Sequence, residues 1–275
     1  AQDAEVDHLI HFQQREVKDL RHPKPVVVIK DGNIVYENNK FKVEIPSYII
    51  PEDLKGSVNV KTVTTDDFKI TVPVSKGFKG GTAIINTMKQ DGSSIYTKLV
   101  QKEVNISEEH DGKAVVETSP YLKMAVFNRY GTCNHSLGII DGMSNVQGAI
   151  AITYGHDAHN LTVYGGNDED IAVAANAVIQ SNGGICAVRN QKVLSLIPLP
   201  MAGLLSDLSI EDLYQEMKQL LLHAEEMGFV HQNLLTFLTL MTLAVSPEVK
   251  LSDLGLIDVI NKKFLPLVAS IEENN

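Results

Sequence analysis

The stretch that decides the fold runs over residues 148–207 and reads GAIAITYGHDAHNLTVYGGNDEDIAVAANAVIQSNGGICAVRNQKVLSLIPLPMAGLLSD. It opens with an apolar, β-prone segment (148–155) that stops at a glycine, followed by a polar turn and the strand LTVYGG (161–166). A helical segment then begins at Asn167 and ends at a glycine pair, and a closing strand leads into PLPMAGLLSD (198–207). This order predicts a strand–turn–strand–helix–strand unit.

The polar turn of this unit carries most of its side chains that could bind a ligand or take part in catalysis. His156, Asp157, His159 and Asn160 lie at a strand end, where a sheet commonly presents functional groups. Two histidines separated by two residues can converge on a metal from a turn or helix, with Asp157 or Asp168 as a third ligand. On a strand they would point to opposite faces. Taken alone, the spacing favours a structural, turn-capping role.

The N-terminal part of the chain predicts a β-hairpin. Two β-prone segments, 26–29 and 34–36, flank the tetrapeptide Lys-Asp-Gly-Asn at 30–33. An Asp-Gly pair favours a tight type I′ turn because both central residues must adopt positive φ. Residues 41–56 contain two prolines and are interpreted as a linker or lid.

The middle of the chain alternates short β-prone segments with turn signals such as Gly80-Gly81 and Asp91-Gly92. Period-two alternation of apolar and polar residues between such turns indicates strands with one buried face. The segments predicted as strands are 58–63, 68–72, 81–88, 94–104, 122–128 and 137–140.

Helices are predicted mainly late in the chain. The first begins at Asn167 and the second at Ser209, and an aspartate follows each of these N-caps three residues later. A third helix over 232–245 is apolar nearly all round and is therefore expected to be buried. A last helix is expected near 255–265. Strands followed by helices indicate an α+β fold with mostly antiparallel or mixed sheets.

Composition limits the function classes. The net charge of −10 argues against a nucleic-acid partner, which needs clustered lysines and arginines. The longest apolar run, Leu234 to Val245, is too short to span a bilayer, and the acidic N-terminus does not resemble a signal peptide. The cysteines Cys133 and Cys186 do not form a disulfide framework. These features predict a cytoplasmic protein without a membrane or nucleic-acid partner.

Several motifs in the second half of the chain can be compared with known families. They are GAIA (148–151), GHDAHN (155–160), GGNDEDI (165–171), GG (183–184), PLPMAGLLSD (198–207) and PEVKLSD (247–253). On these motifs, the chain from about Tyr121 to Phe264 resembles the C-terminal domain of microbial adenine deaminases, members of the amidohydrolase superfamily. Gly155 and Ala158 depart from the family, which usually has Ala and Ser at these positions, and the second departure removes a hydroxyl.

The resemblance implies a domain organisation. Residues 1–40, with the hairpin at 26–36, would be the remnant of the small β-sandwich that amidohydrolases fold around their barrel. Residues 41–56 would be a linker, and residues 57–275 would form the C-terminal α+β domain. The metal-binding barrel would lie upstream of this chain.

The resemblance also implies where the catalytic metal lies. Amidohydrolase barrels bind a divalent transition metal (Mn, Fe or Zn) through an HxH motif, and no HxH occurs in this sequence. Metal ligands and catalytic residues are therefore expected in the barrel, and no metal or other cofactor is expected in this chain.

The activity implied by the resemblance is hydrolytic deamination of adenine to hypoxanthine and ammonia in purine salvage. This chain alone is expected to be inactive, and the complete enzyme to be a homo-oligomer. The alternative is a stand-alone, non-catalytic purine-binding or assembly module, which would suit the missing hydroxyl at Ala158. The expected substrate-pocket residues are His156, Asp157, His159, Asn160, Asp168, Ser206 and Asp207.

Overall fold

The hairpin near the N-terminus is present. The computed structural model describes residues 26–44, 51–92, 94–108 and 111–274, and the chain divides into two compact units between residues 49 and 50. The described part of the first unit is a three-stranded antiparallel sheet. Its turn has positive φ at Asp31 (48°) and Gly32 (75°), which confirms the predicted hairpin. Its strands are β1 (Val27–Lys30), β2 (Asn33–Glu37) and β3 (Lys40–Phe41).

The domain boundaries expected from the resemblance stay predictions. Residues 1–25 lie outside the described residues, as does part of the expected linker, residues 45–50. Within the described part of the linker, residues 52–54 form a single 3-10 turn.

The second unit is built on one large sheet and one small sheet. Its strands are β4 (Thr71–Pro73), β5 (Gly81–Gln90), β6 (Thr97–Glu108), β7 (Lys113–Val116), β8 (Tyr121–Phe127), β9 (His135–Ser144), β10 (Ala149–Ile152), β11 (Leu161–Gly165), β12 (Gly184–Arg189), β13 (Lys192–Pro198), β14 (Val249–Ser252), β15 (Gly255–Asp258), β16 (Lys263–Leu265) and β17 (Val268–Glu273). The small sheet has the order β14-β15-β16. The large sheet has the order β13-β12-β10-β11-β8-β9-β5-β6-β7-β4, and β17 also pairs with β5.

Antiparallel pairing dominates both sheets of this unit, as the sequence predicts. The exception is a short parallel contact between β5 and β9, where Met88 pairs with Ile140. β5 therefore has two neighbours on one edge, β17 along Gly81–Ile85 and β9 near its C-terminal end.

Among the described residues, three α-helices cover the sheet, and each begins where a side chain caps it. They are α1 (Asp168–Gln180), α2 (Ile210–Glu226) and α3 (Leu234–Leu240). Asn167 accepts a hydrogen bond from the Asp170 N–H at 2.8 Å, and Ser209 accepts one from the Asp212 N–H at 3.0 Å. These contacts confirm the predicted starts of the first two helices. None of the helices among the described residues is long and apolar enough to cross a membrane.

The central strands are buried on both faces, and alternate side chains enter different cores. Ala149 and Ala151 of β10 lie in the core that contains α1. Ile150 and Ile152 lie in the core that contains α2 and α3. The small alanines suit the close approach of α1, and the unit is therefore a three-layer arrangement around a buried sheet.

Four sequence predictions differ from the structure. Residues 58–63 form no strand, and the helix expected over 232–245 is confined to α3. The single closing strand is a hairpin of two strands, β12 and β13. The helix expected near 255–265 is also wrong, because this segment forms β15 and β16. Positive φ at Gly255 (137°) and Lys262 (54°) is incompatible with a continuous helix.

Candidate functional site

Three segments and Val126 of β8 enclose a small cavity at one end of the large sheet. The segments are the turn between β10 and β11 (residues 153–160), the segment after α3 (242–244) and the turn between β14 and β15 (252–254). The loop after β8 (128–134) adjoins them through the hydrogen bond from Asn128 to Asp253. The cavity has a volume of about 140 Å³, and most of its polar lining comes from the GHDAHN turn and from Asp253.

The GHDAHN turn is held by its main chain. The His156 N–H donates to the Thr239 carbonyl at 3.1 Å, and the Thr242 hydroxyl donates to the His156 carbonyl at 2.5 Å. The His159 N–H donates to the Gly155 carbonyl at 2.9 Å, and His159 has a φ of +52°. The side chains of His156 and Asp157 are exposed and make no hydrogen bond among the described residues. They are therefore available to a ligand.

Asp253 is a site residue that the sequence did not single out. Its Oδ1 accepts from Asn160 Nδ2 at 3.2 Å, and its Oδ2 accepts from Asn128 Nδ2 at 2.9 Å. The buried Asn160 amide also accepts from the Arg129 N–H at 3.3 Å. A carboxylate fixed by two amides keeps one orientation toward the cavity. The available signal was weak: Asp253 ends the PEVKLSD motif, but nothing in the sequence connects it to Asn160.

The buried Arg129 links the GHDAHN turn to a second segment of the chain. It is 3% exposed, and its Nη1 donates to the Ala202 carbonyl at 2.7 Å. Its guanidinium lies 5.2 Å above the ring of Tyr130, whose hydroxyl donates to the Ala158 carbonyl at 2.7 Å. Its buried Nε makes no hydrogen bond among the described residues. Arg129 thus joins the GHDAHN turn to the chain around Ala202.

The two histidines of the turn are neighbours, with ring centroids 6.1 Å apart. Burial lowers the pKa of His159, and the positive charges of Arg129 and His156 lower it further, whereas Asp157 opposes them. The neutral imidazole of His159 can both accept and donate a hydrogen bond. No group of three or more His, Cys, Asp or Glu side chains in the described ranges is arranged to hold a metal ion.

The structure does not bring Asp168 to this cavity. Asp168 begins α1 beyond the far end of β11, whereas the GHDAHN turn precedes that strand. Its Oδ1 accepts from the buried Lys123 Nζ at 2.5 Å, and the same ammonium donates to the Phe68 carbonyl at 2.8 Å. Asp168 thus compensates a buried lysine charge, which explains its position without a ligand.

Ser206 and Asp207 lie near the same end of the sheet but do not line the cavity. They follow a tight turn over 201–205, whose Gly203 carbonyl accepts from the Thr153 hydroxyl at 2.6 Å. This turn approaches so closely that a Cβ on Gly183 would lie 2.5 Å from the Gly203 Cα. The Ser206 hydroxyl accepts from the Leu208 N–H, and Asp207 is exposed.

Comparison with known proteins identifies the family. Residues 94–263 match the model of the adenine deaminase C-terminal domain. The chain belongs to this family. It is 35% identical over 256 residues to an adenine deaminase of Clostridium botulinum (strain ATCC 19397 / Type A), a match that covers 91% of this chain and 41% of the relative.

Other relatives carry the same name. The chain is 33% identical over 247 residues to an adenine deaminase of Thermosipho africanus (strain TCF52B), covering 89% of this chain and 40% of the relative. It is 32% identical over 242 residues to adenine deaminase 2 of Shouchella clausii (strain KSM-K16), covering 87% and 41%. The chain thus spans about two fifths of the length of these relatives.

Proposed function

We propose that this chain is the C-terminal portion of an adenine deaminase, which hydrolyses adenine to hypoxanthine and ammonia in cytoplasmic purine salvage as a homo-oligomer. Membership of the adenine deaminase C-terminal domain family carries this proposal. The GHDAHN turn supports it, because its main chain is anchored while the side chains of His156 and Asp157 remain unpaired and exposed.

In this proposal the chain forms one wall of the substrate pocket. The Asp157 carboxylate accepts a hydrogen bond from an N–H group of the purine, and the neutral His159 imidazole pairs with a donor or acceptor on the same ring. Asn160 and Asp253 keep the wall in shape through their mutual hydrogen bond. A wall of this kind orients the base and excludes water, which are the contributions expected of groups outside the reacting centre.

The residues described here do not fit a catalytic metal centre. The implied divalent transition metal (Mn, Fe or Zn) needs several converging ligands, and the described residues offer no group of three. We assign the metal to the part of the relatives that this chain does not span, and we expect the chain alone to be inactive.

The departure at Ala158 favours a second candidate function, a non-catalytic purine-binding or assembly module. Among the described residues, the hydrogen bond of Ala158 is the one that its carbonyl accepts from the Tyr130 hydroxyl. A module that does not catalyse would tolerate this loss of a hydroxyl.

A chimera separates the two candidates. The matching C-terminal segment of the Clostridium botulinum relative is replaced by this chain, and hypoxanthine and ammonia release are measured for the chimera and for the chain alone. The enzyme portion is supported if the chimera turns over adenine and the chain alone does not. Changing His156 and Asp157 to alanine should then lower the turnover of the chimera. A matched control changes Glu226, an exposed residue of α2, to alanine. A folded, metal-loaded chimera without turnover favours the module.

A further inference from the structure

A second cavity, of about 230 Å³, lies apart from the GHDAHN turn. It is lined by residues 59–63, which belong to no helix or strand, and by residues around the β8–β9 connection, including Phe127, Asn128 and His135. Its lining contains none of the residues of the GHDAHN turn, and Asn128, whose amide holds Asp253, lies between the two cavities.

One wall is an aromatic stack. The buried Phe127 ring packs edge-on against Phe68, with centroids 5.7 Å apart and planes at 75°. On Phe127 the His135 ring lies almost parallel, with centroids 5.1 Å apart and planes at 11°. The His135 side chain is exposed and makes no hydrogen bond among the described residues. The phenylalanine core therefore holds a flat imidazole at the surface of the cavity.

The other wall is a stretch of backbone with free hydrogen-bonding groups. The Asn59 N–H donates to the Arg129 carbonyl at 2.8 Å. At the other end, Asn176 pairs with both main-chain groups of Val63, at 3.0 Å and 2.8 Å. Between these anchors, residues 60–62 make no backbone hydrogen bond within the described ranges. Residues 60–62 line the cavity together with Phe127 and His135, so main-chain N–H and C=O groups without a protein partner lie beside the aromatic stack.

We propose that this cavity binds a planar nitrogen heterocycle of the size of a single nucleobase. The ring would stack on His135, and its ring nitrogens and substituents would pair with the backbone of residues 60–62. Every base has a π-face that stacks on aromatic side chains, and a pair of rigid walls recognises it without large rearrangement. The volume is below the range of about 300–1,000 Å³ for drug-sized ligands, which favours a base over a nucleotide.

The inference is tested by titrating the intact chain with adenine, hypoxanthine and cytosine in a calorimeter. Saturable binding of at least one base is expected, and His135→Ala should weaken it about tenfold because the stacking surface is lost. His135→Phe should restore most of the affinity, since it keeps a flat ring. The matched control is His223→Ala, which removes an imidazole from α2 that bonds to Ser195 instead.

Amide chemical shifts locate the ligand. The proposal expects the largest changes at residues 60–62 and little change at residues 156–159. It also expects Asn176→Ala to weaken binding in a chain that still folds cooperatively, because one anchor of the backbone wall is removed. The absence of saturable binding, an unchanged affinity in His135→Ala, or shifts confined to residues 156–159 would each overturn it. These outcomes are independent of turnover by the chimera.

Discussion

At the residue scale, the main chain and the side chains of the GHDAHN turn have different roles. His156 and Asp157 contribute to the fold through backbone groups alone, and their side chains are exposed. Asn160 is buried, and both the oxygen and the nitrogen of its side-chain amide are hydrogen-bonded. Residues of the first kind can change with little loss of stability, whereas residues of the second kind cannot.

This division gives a paired prediction. His156→Ala and Asp157→Ala should leave the melting temperature of this chain nearly unchanged. The matching changes in the full-length Clostridium botulinum relative should lower turnover by more than about tenfold, or about 1.4 kcal/mol of transition-state stabilisation. Asn160→Ala is the control that should lower the melting temperature. Unchanged turnover together with a large loss of stability would mean that the two side chains only support the turn.

Lys250 gives a prediction on pH. Its side chain is fully buried, its Nζ donates to the Ile95 carbonyl at 2.9 Å, and burial lowers the pKa of Lys250 to about 8. The unfolded value is about 10.4. Between these values the unfolded chain holds a proton that the folded chain has released, so this lysine makes the free energy of unfolding rise with pH.

Replacement of this lysine should therefore stabilise the protein at neutral pH. Lys250→Met is expected to raise the free energy of unfolding at pH 7 by up to about 3 kcal/mol, the equivalent of the pKa shift. The Ile95 carbonyl keeps the Ser246 hydroxyl as a donor at 3.1 Å. Denaturant melts at pH 7 and pH 10 measure the effect, with the exposed Lys98→Met as control. A difference that stays constant with pH would contradict it.

The sequence predicts the turn residues but not their partners. Four neighbouring residues in one polar motif can be recognised from their order alone. The hydrogen bonds from Asp253 to Asn128 and Asn160 join segments that are far apart in the chain, and no local pattern encodes them. The prediction that Asp168 lines the pocket fails for the opposite reason. Asp168 is near the motif in sequence, but β11 lies between them and places Asp168 at the other end of the sheet.

At the element scale, the start of α1 was predictable because a cap is a local contact. Asn167→Ala should cost about 1 kcal/mol of stability, since the Asp170 N–H loses its acceptor. Asn167→Ser should recover most of that loss, because serine is also a good N-cap. Chemical denaturation measures both. An unchanged midpoint in the alanine variant would show that the cap contributes nothing.

Elements that depend on distant partners were less predictable. Residues 58–63 have a strand-like pattern, but Asn176 of α1 takes the backbone groups of Val63 that a neighbouring strand would have used. The segment 255–265 has apolar residues at spacings that suit a helix, but it pairs with β14 to form the small sheet. In both cases tertiary contacts override the local preference.

At the scale of the whole molecule, β17 completes the large sheet by pairing with β5. The two strands come so close at Gly81 that an added Cβ would lie 2.2 Å from the Glu272 carbonyl oxygen. Gly81→Ala should therefore displace β17 and lower stability by about 1–3 kcal/mol, as overpacking usually does. Hydrogen exchange of the Ile271 amide should increase in the variant.

The neighbouring substitution Thr82→Ala serves as the control for this effect. It removes atoms instead of adding them, so β17 should stay in place and amide exchange of residues 268–273 should be unchanged. If Gly81→Ala leaves exchange and stability at the wild-type level, the contact between the two strands is looser than the structure indicates.

The pairing of β17 with β5 also determines when, during translation, the large sheet can be completed. Residues 81–85 leave the ribosome well before residues 268–273, and at about 5–20 residues per second the delay is on the order of ten seconds or more. During that time half of one edge of β5 lacks its neighbour, although β6 is already available. An unpaired strand edge recruits other chains. The nascent protein is thus open to chaperones, and to neighbouring nascent copies, until β17 has been translated.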